Sequence, residues 1–72
     1  MKLIPTDAKK IKVIFVCDLC GVDITSEIDV PTEEISIEAS CFVCYKNFTI
    51  KVTPTGVEVS DIVDDDITIE II

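Results

Sequence analysis

Two Cys-x-x-Cys pairs constrain this chain more than any other feature of its sequence. Cys17 and Cys20 form the first pair, Cys41 and Cys44 form the second, and 20 residues separate Cys20 from Cys41. Two intervening residues allow a tight turn to direct both sulfurs of a pair at one point. Two such turns supply the four sulfurs that a tetrahedral Zn²⁺ accepts at about 2.3 Å. The spacing therefore predicts a Cys₄ metal site.

The length and the missing histidine indicate what such a site would do. A chain of 72 residues buries only roughly 60% of its unfolded surface, so it is marginally stable without a staple. With no histidine, Ser-His-Asp and Cys-His catalysis are excluded. Four thiolates also leave no coordination position open for water or substrate. We therefore expect a structural metal in a protein that is not an enzyme.

Three other uses of four cysteines stay open at this point. They are small apolar core residues, two disulfides, and a thioredoxin-like dithiol, which needs a βαβ setting. Residues 1–10 lack the apolar segment of a secretory signal, and no apolar run approaches the roughly 20 residues of a membrane span. We therefore expect a cytoplasmic protein without a membrane contact. Reduced thiols in that compartment favour a metal site over disulfides.

Residue types predict an all-β fold in one domain over residues 1–72. The chain has 29 β-branched residues against two Leu and two Ala, and β-branched side chains suit a pleated surface. We expect a small antiparallel sheet of about five to six strands, with residues 1–9 as a flexible basic N-terminus. Alternation places the strands at residues 10–16, 22–30, 34–39, 47–53, 57–59 and 67–71.

The expected strand pairing brings the two cysteine pairs together. Apolar residues on both faces of Lys10–Val16 predict a central strand. Val22–Val30 and Glu34–Ala39 alternate on either side of Pro31, which predicts a hairpin. In such a hairpin, Cys20 and Cys41 would lie at the same end. Thr53-Pro54-Thr55-Gly56 predicts a turn that pairs the fourth and fifth strands.

The cysteine segments with the hairpin between them resemble a zinc ribbon over roughly residues 10–53. This resemblance implies one structural zinc bound by Cys17, Cys20, Cys41 and Cys44. Gly21 follows the first pair and supplies the positive φ that such a knuckle needs at its exit. The four sulfurs are also similar to the iron site of rubredoxin, so a rubredoxin-like electron carrier is the alternative function. A third interpretation is a switch in which oxidation of the thiolates releases the metal.

The second knuckle departs from the pattern of both families. Zinc ribbons and rubredoxins often have Gly after the fourth cysteine, and rubredoxins usually have Pro after the third, where this chain has Tyr45 and Phe42. We therefore expect a less regular second knuckle, with the positive φ at Lys46 or Asn47. The missing Pro and Gly, together with few aromatic residues, argue against iron. Tetrahedral sulfur ligation by itself does not separate zinc from iron.

The charge predicts the class of partner. The chain has 14 acidic residues, six lysines and no arginine, for a net charge of −8. A broad basic face for nucleic acid is therefore missing. The acids either provide solubility or form a docking face for a protein partner. The docking interpretation rests on the residues expected to point outward from the central hairpin, namely Asp23, Glu27, Asp29, Glu34 and Glu38.

The last strand leaves the oligomeric state open. Residues 67–72 are an apolar strand that either closes the sheet or pairs with a second copy at an exposed edge. The run Asp64-Asp65-Asp66 before it is expected to be a charged loop, because contiguous carboxylates are poorly spaced to hold one cation.

Overall fold

Seven strands in two antiparallel sheets form the fold, and the computed structural model describes all 72 residues. One sheet has the order β3-β2-β7 and the other has the order β1-β6-β5-β4. The all-β prediction is confirmed, but the strands number seven and divide between two sheets. The elements are β1 (Lys2–Leu3), β2 (Lys10–Val16), β3 (Asp23–Asp29), β4 (Ile35–Ser40), β5 (Asn47–Val52), β6 (Gly56–Val59), a 3₁₀ turn (Asp64–Asp66) and β7 (Thr68–Ile71).

The predicted hairpin between the second and third expected strands is wrong. β3 pairs with β2, with Ile24 opposite Phe15, and β4 pairs with β5, with Ala39 opposite Phe48. Each Cys-x-x-Cys segment is therefore the turn of its own hairpin. The pairing is local because the backbone bonds of each knuckle continue the ladder of its flanking strands, so β3 already has β2 as its neighbour. Residues 30–34 carry the chain from one sheet to the other.

Other expectations about the strands are confirmed. β2 is the central strand of its sheet and buries Ile11, Val13 and Phe15. β7 adds to the free side of β2, with Ile71 opposite Ile11. β5 and β6 form a hairpin at the predicted turn, where the N–H of Thr53 donates to the carbonyl oxygen of Gly56 at 2.9 Å.

The inner faces of the two sheets share one apolar core. The rings of Phe15 in β2 and Phe48 in β5 are both fully buried and meet edge to face, with centroids 5.2 Å apart and an interplanar angle of 71°. Burying a side chain of this size contributes about 1.5–3 kcal/mol, and an aromatic pair adds about 0.5–1.5 kcal/mol. One strand residue separates each ring from its knuckle, since Phe15 precedes the last residue of β2 and Phe48 follows the first residue of β5. Cys17 and Cys41 are buried in the same core, so the core supports the cysteines directly.

The first residues of the chain join the second sheet. Within residues 1–9, which were expected to form a flexible basic N-terminus, Lys2–Leu3 forms β1 against β6. Ile4 is buried, and its N–H donates to the carbonyl oxygen of Thr55 at 2.9 Å. The amino group of Met1 forms an ion pair with Asp64. The apolar Ile4 and the open edge of β6 give this segment a place to dock. No helix in the structure has the length and apolar character needed to span a bilayer.

Candidate metal centre

Four cysteine sulfurs converge at the tips of the two knuckle hairpins. All four lie within 4.8 Å of one another, with Cys20 Sγ 3.1 Å from Cys41 Sγ and Cys17 Sγ 3.6 Å from Cys44 Sγ. A tetrahedron with metal–sulfur bonds of about 2.3 Å has sulfur–sulfur edges of about 3.8 Å. The observed separations lie on both sides of that length. The four sulfurs can therefore close around one tetrahedral metal ion.

The first knuckle is a tight loop that leaves β2 and enters β3. The N–H of Cys17 donates to the carbonyl oxygen of Val22 at 2.9 Å, and the N–H of Gly21 donates to the carbonyl oxygen of Cys17 at 3.0 Å. Gly21 has a φ of 73°, in the left-handed region that favours glycine. A Cβ there would meet no atom within 4 Å, so the backbone angle alone makes glycine suitable.

The second knuckle repeats the backbone of the first. The N–H of Cys41 donates to the carbonyl oxygen of Lys46 at 2.9 Å, and the N–H of Tyr45 donates to the carbonyl oxygen of Cys41 at 3.0 Å. The positive φ lies at Tyr45, at 59°, so the expectation of Lys46 or Asn47 was wrong. Tyr45 holds the position equivalent to Gly21. A residue with a Cβ costs about 1–2 kcal/mol in this conformation.

The first cysteine of each knuckle is buried and has a lowered pKa. Hydrogen bonds from the backbone N–H groups of Cys44 and Val43 help to lower the pKa of Cys41 to about 6, and the Val43 nitrogen lies 3.4 Å from the sulfur. Burial by itself would raise the pKa of Cys17, but hydrogen bonds from the backbone of Cys20 and Leu19 bring that pKa below its usual value. The backbone groups that favour the two thiolates thus occupy equivalent positions, two and three residues after each cysteine.

The second cysteine of each knuckle is exposed and holds a proton in the absence of a cation. The pKa of Cys20 rises to about 12, first because its thiol donates to the Cys41 sulfur and then because of burial. The backbone N–H of Lys46 favours the Cys44 thiolate, but burial and the neighbouring sulfurs of Cys17 and Cys41 raise its pKa overall. A divalent cation would replace these protons, so binding would release them.

The side chain of Lys46, just after the second knuckle, connects the two knuckles through an ion pair with Asp18 in the first. Lys46 Nζ lies 2.8 Å from both carboxylate oxygens of Asp18 and 3.5 Å from a carboxylate oxygen of Asp61. It also lies 5.2 Å from the centre of the Phe48 ring, and the Asp18 carboxylate raises the pKa of Lys46. The sequence analysis did not predict this bridge. An acid inside the first cysteine pair and a lysine just after the second pair are the sequence features that could have indicated it.

The acidic residues expected to form one partner face are divided between different parts of the fold. All are exposed, but three belong to β3, one belongs to β4 and one lies just before β4. Lysines also face several of them, since Lys10 lies opposite Asp29, Lys12 lies opposite Glu27, and Lys51 Nζ lies 3.5 Å from Glu34. The structure therefore does not bring the set into one row: Asp23, Glu27 and Asp29 lie on the first sheet, Glu38 lies on the second, and Glu34 is in the segment between them.

Comparison of the chain with protein-family models, with curated proteins and with solved structures finds no match in any of the three. The geometry of the four sulfurs is consistent with a zinc-ribbon-like site.

Proposed function

We propose that this protein is a small, non-enzymatic zinc-binding module with a structural Cys₄ site formed by Cys17, Cys20, Cys41 and Cys44. The observation that carries the proposal is the convergence of four sulfurs from two knuckles of equivalent backbone geometry. Four thiolates complete the coordination of Zn²⁺, and closed sites of this kind are structural. The role we assign to the module is to present an acidic surface to a protein partner in the cytoplasm.

The position of the site supports a structural role. One knuckle belongs to the β3-β2-β7 sheet and the other belongs to the second sheet. A bound ion would therefore join the two sheets at one end of the molecule. Metal binding by small domains has apparent free energies of about 10–16 kcal/mol at pH 7, as large as the whole stability of a typical domain, about 5–15 kcal/mol. The metal would be a principal source of stability here.

Elemental analysis tests the proposal most directly. The protein is purified without added metal, and one zinc per chain is the expected result. Cys44→Ser is the informative variant, because Cys44 is exposed and its loss removes one ligand with little change to the core. This variant should retain clearly less zinc in competition with a chelator, whereas Ser40→Ala, which changes an exposed residue beside the knuckle, should not. A folded wild-type protein without any metal contradicts the proposal.

Iron is the second candidate metal, and one observation removes an argument against it. The sequence argued against iron because the second knuckle lacks the usual Gly, but Tyr45 adopts the left-handed conformation and makes the two knuckles equivalent. An iron site of this type would transfer single electrons. Freshly purified protein distinguishes the two metals, because ferric tetrathiolate is red and bleaches on reduction, whereas zinc is colourless in both conditions.

The protein-partner role is tested separately from the metal. A net charge of −8 opposes binding to a phosphate backbone, so we expect no nucleic acid to bind the zinc-loaded protein at physiological salt. A filter-binding assay with single-stranded and double-stranded oligonucleotides measures this. Charge reversal at Asp23, Glu27 and Asp29 then tests whether the exposed acids of β3 contribute to capture of an identified protein partner. Unchanged capture excludes that strand as the docking face.

A further inference from the structure

The tips of the two knuckles expose an unusual amount of apolar surface. Four large apolar side chains there form what we call the knuckle cap: Leu19 (69% exposed), Phe42 (71%), Val43 (53%) and Tyr45 (78%). Single exposed apolar residues are normal on a protein surface. These four lie within or directly after the two Cys-x-x-Cys segments, whose sulfurs are within 4.8 Å of one another, so they are at the same end of the molecule. Patches of this kind mark interaction sites.

An acidic cleft lies beside the knuckle cap. The cleft has a volume of ≈ 360 Å³, an apolar wall and carboxylates around it. Cys17 is also among its lining residues, so the cleft reaches the metal centre. Its wall residues are Val16, Ile62 and Val63, and its carboxylates belong to Asp18, Asp61 and Asp66.

Five of the six lysines lie away from the knuckle end of the molecule. Lys46 is the lysine at the knuckle end, and its ammonium group is already bound by Asp18 and Asp61. The other five lysines precede or occupy strand positions nearer the opposite end, as the register of β2 and β5 shows. A tetrathiolate centre with a divalent ion would add two negative charges at the knuckle end. The knuckle cap is therefore apolar surface in a negative field. The five lysines away from the cap are Lys2, Lys9, Lys10, Lys12 and Lys51.

We propose that the knuckle cap and the acidic cleft together bind a protein segment in which lysine or arginine side chains lie next to apolar ones. A basic side chain suits the cleft, because its aliphatic stem packs on an apolar wall while its charged head reaches Asp66, the carboxylate there that Lys46 does not bind. The apolar neighbours of that side chain would cover the cap. The negative field steers a basic partner to this end and repels an acidic one. This inference rests on the proposed function and adds the docking surface and the chemistry of the partner.

Titration of the zinc-loaded protein with a defined peptide tests the inference. The zinc content of the ¹⁵N-labelled protein is established first, so a failure of the metal proposal is recognised before any peptide is added. The probe is a short capped peptide of alternating lysine and leucine. Amide shifts should concentrate at residues 16–20, 42–46 and 61–66. Peptides with serine in place of leucine, or glutamate in place of lysine, should bind at least about tenfold more weakly.

Two pairs of variants distinguish binding at this surface from the effects of net charge and of exposed apolar residues elsewhere. Phe42→Ser should weaken binding about tenfold, as truncation of an aromatic interface anchor does, whereas Leu3→Ser should not. Leu3 is a matched control because it is 72% exposed and lies in β1 near the opposite end. Asp66→Asn should weaken binding more than Asp29→Asn, which removes the same charge far from the cleft.

Three results would overturn the inference. Equal effects of Asp66→Asn and Asp29→Asn would show that only net charge matters. Shifts spread along β3, at Asp23 and Glu27, would place binding on the sheet instead of the cap. A zinc-loaded dimer that becomes monomeric with Phe42→Ser would identify a second copy as the occupant of the cap.

Discussion

The two knuckle hairpins, β2–β3 and β4–β5, have the same backbone and different surroundings. Each residue of the first has its counterpart 24 positions later, so Cys17 matches Cys41 and Cys20 matches Cys44. The strand registers and the bonds that close each knuckle repeat at the same offset. In the first hairpin the leading strand is central to its sheet, whereas in the second the trailing strand is central. The knuckle geometry is therefore independent of how its hairpin is buried.

The comparison also shows that two different residues support the same turn. Gly21 takes the left-handed position in the first knuckle, and the exposed Tyr45 takes it in the second. Since a tyrosine is strained there, the second knuckle depends more on interactions that hold it from outside. The metal is the interaction that both knuckles would share. Perturbing the ion, the core and the turns shows how far the two halves are equivalent.

Removal of the metal should have the largest effect and should affect both hairpins together. The expected loss of about 10–16 kcal/mol exceeds what a core of this size can replace. Hydrogen exchange before and after chelation measures the outcome. Amides of β2–β3 and β4–β5 should lose protection in parallel. Persistent protection in one hairpin alone would show that the halves fold separately and that the shared ion is not their main connection.

Truncation of the central aromatic pair should have the next largest effect. Phe15→Ala and Phe48→Ala should each lower the free energy of unfolding by about 3–5 kcal/mol, because each removes a fully buried ring from an equivalent face of the core. Urea denaturation of the metal-loaded variants measures this. The double variant should lose less than the sum, by about 0.5–1.5 kcal/mol, because the rings contact each other. An additive double variant would contradict the coupling of the two sheets through these rings.

Exchange of the left-handed residues should have smaller effects of opposite sign. Gly21→Ala should lower the free energy of unfolding by about 1–2 kcal/mol, since only the backbone angle opposes the new Cβ. Tyr45→Gly should raise it by about 0.5–1 kcal/mol, because relief of the strain exceeds the entropy that glycine loses on folding. Chemical denaturation with constant zinc measures both. A destabilised Tyr45→Gly would show that the exposed ring contributes contacts that outweigh its strained backbone.

Loss of the lysine bridge should have the smallest effect, and one that depends on pH. The Asp18 carboxylate raises the pKa of Lys46 above its usual 10.5, so the bridge stabilises the fold below that pH and is lost as the pH rises through the folded-state pKa. Lys46→Gln should therefore be slightly less stable than the wild type at neutral pH and equally stable above the folded-state pKa. Thermal melts across this range measure the difference. If the variant remains less stable than the wild type by the same amount at high pH, packing of Lys46 on Phe48, and not its charge, contributes the stability.

Local pattern predicted the strands and the cluster of cysteines, but not their connection. β2 has the bounds that alternation predicted, because apolar residues at period two need no knowledge of the partner strand. The predicted pairing of β3 with β4 is wrong, because two alternating segments on either side of Pro31 have the pattern of a hairpin whether or not they pair with each other. The sulfurs converge for another reason, which is that two separate hairpins place their tips together.

The residues around the sulfurs were harder to predict for the same reason. A tyrosine in the left-handed conformation has no sequence signature, since the strain is tolerated only within the folded structure. The bond from Lys46 to Asp18 spans 28 residues and depends on the placement of both knuckles. The outward acids of β3 and β4 were predicted to be exposed, which is correct, but their assignment to one face relied on the hairpin that the structure lacks.

The segment that crosses between the sheets has a consequence for how chain length can vary. Contacts between the knuckles join Cys20 to Cys41 across 21 residues and Cys17 to Cys44 across 27, so an ion there closes a ring that contains residues 30–34. The entropy of ring closure grows only with the logarithm of ring size, by about 0.6 kcal/mol for each doubling. Extra residues inserted in this crossing would therefore cost little. An extra residue inside either knuckle would misplace a sulfur, so the crossing is the place where the length of this chain is free to change.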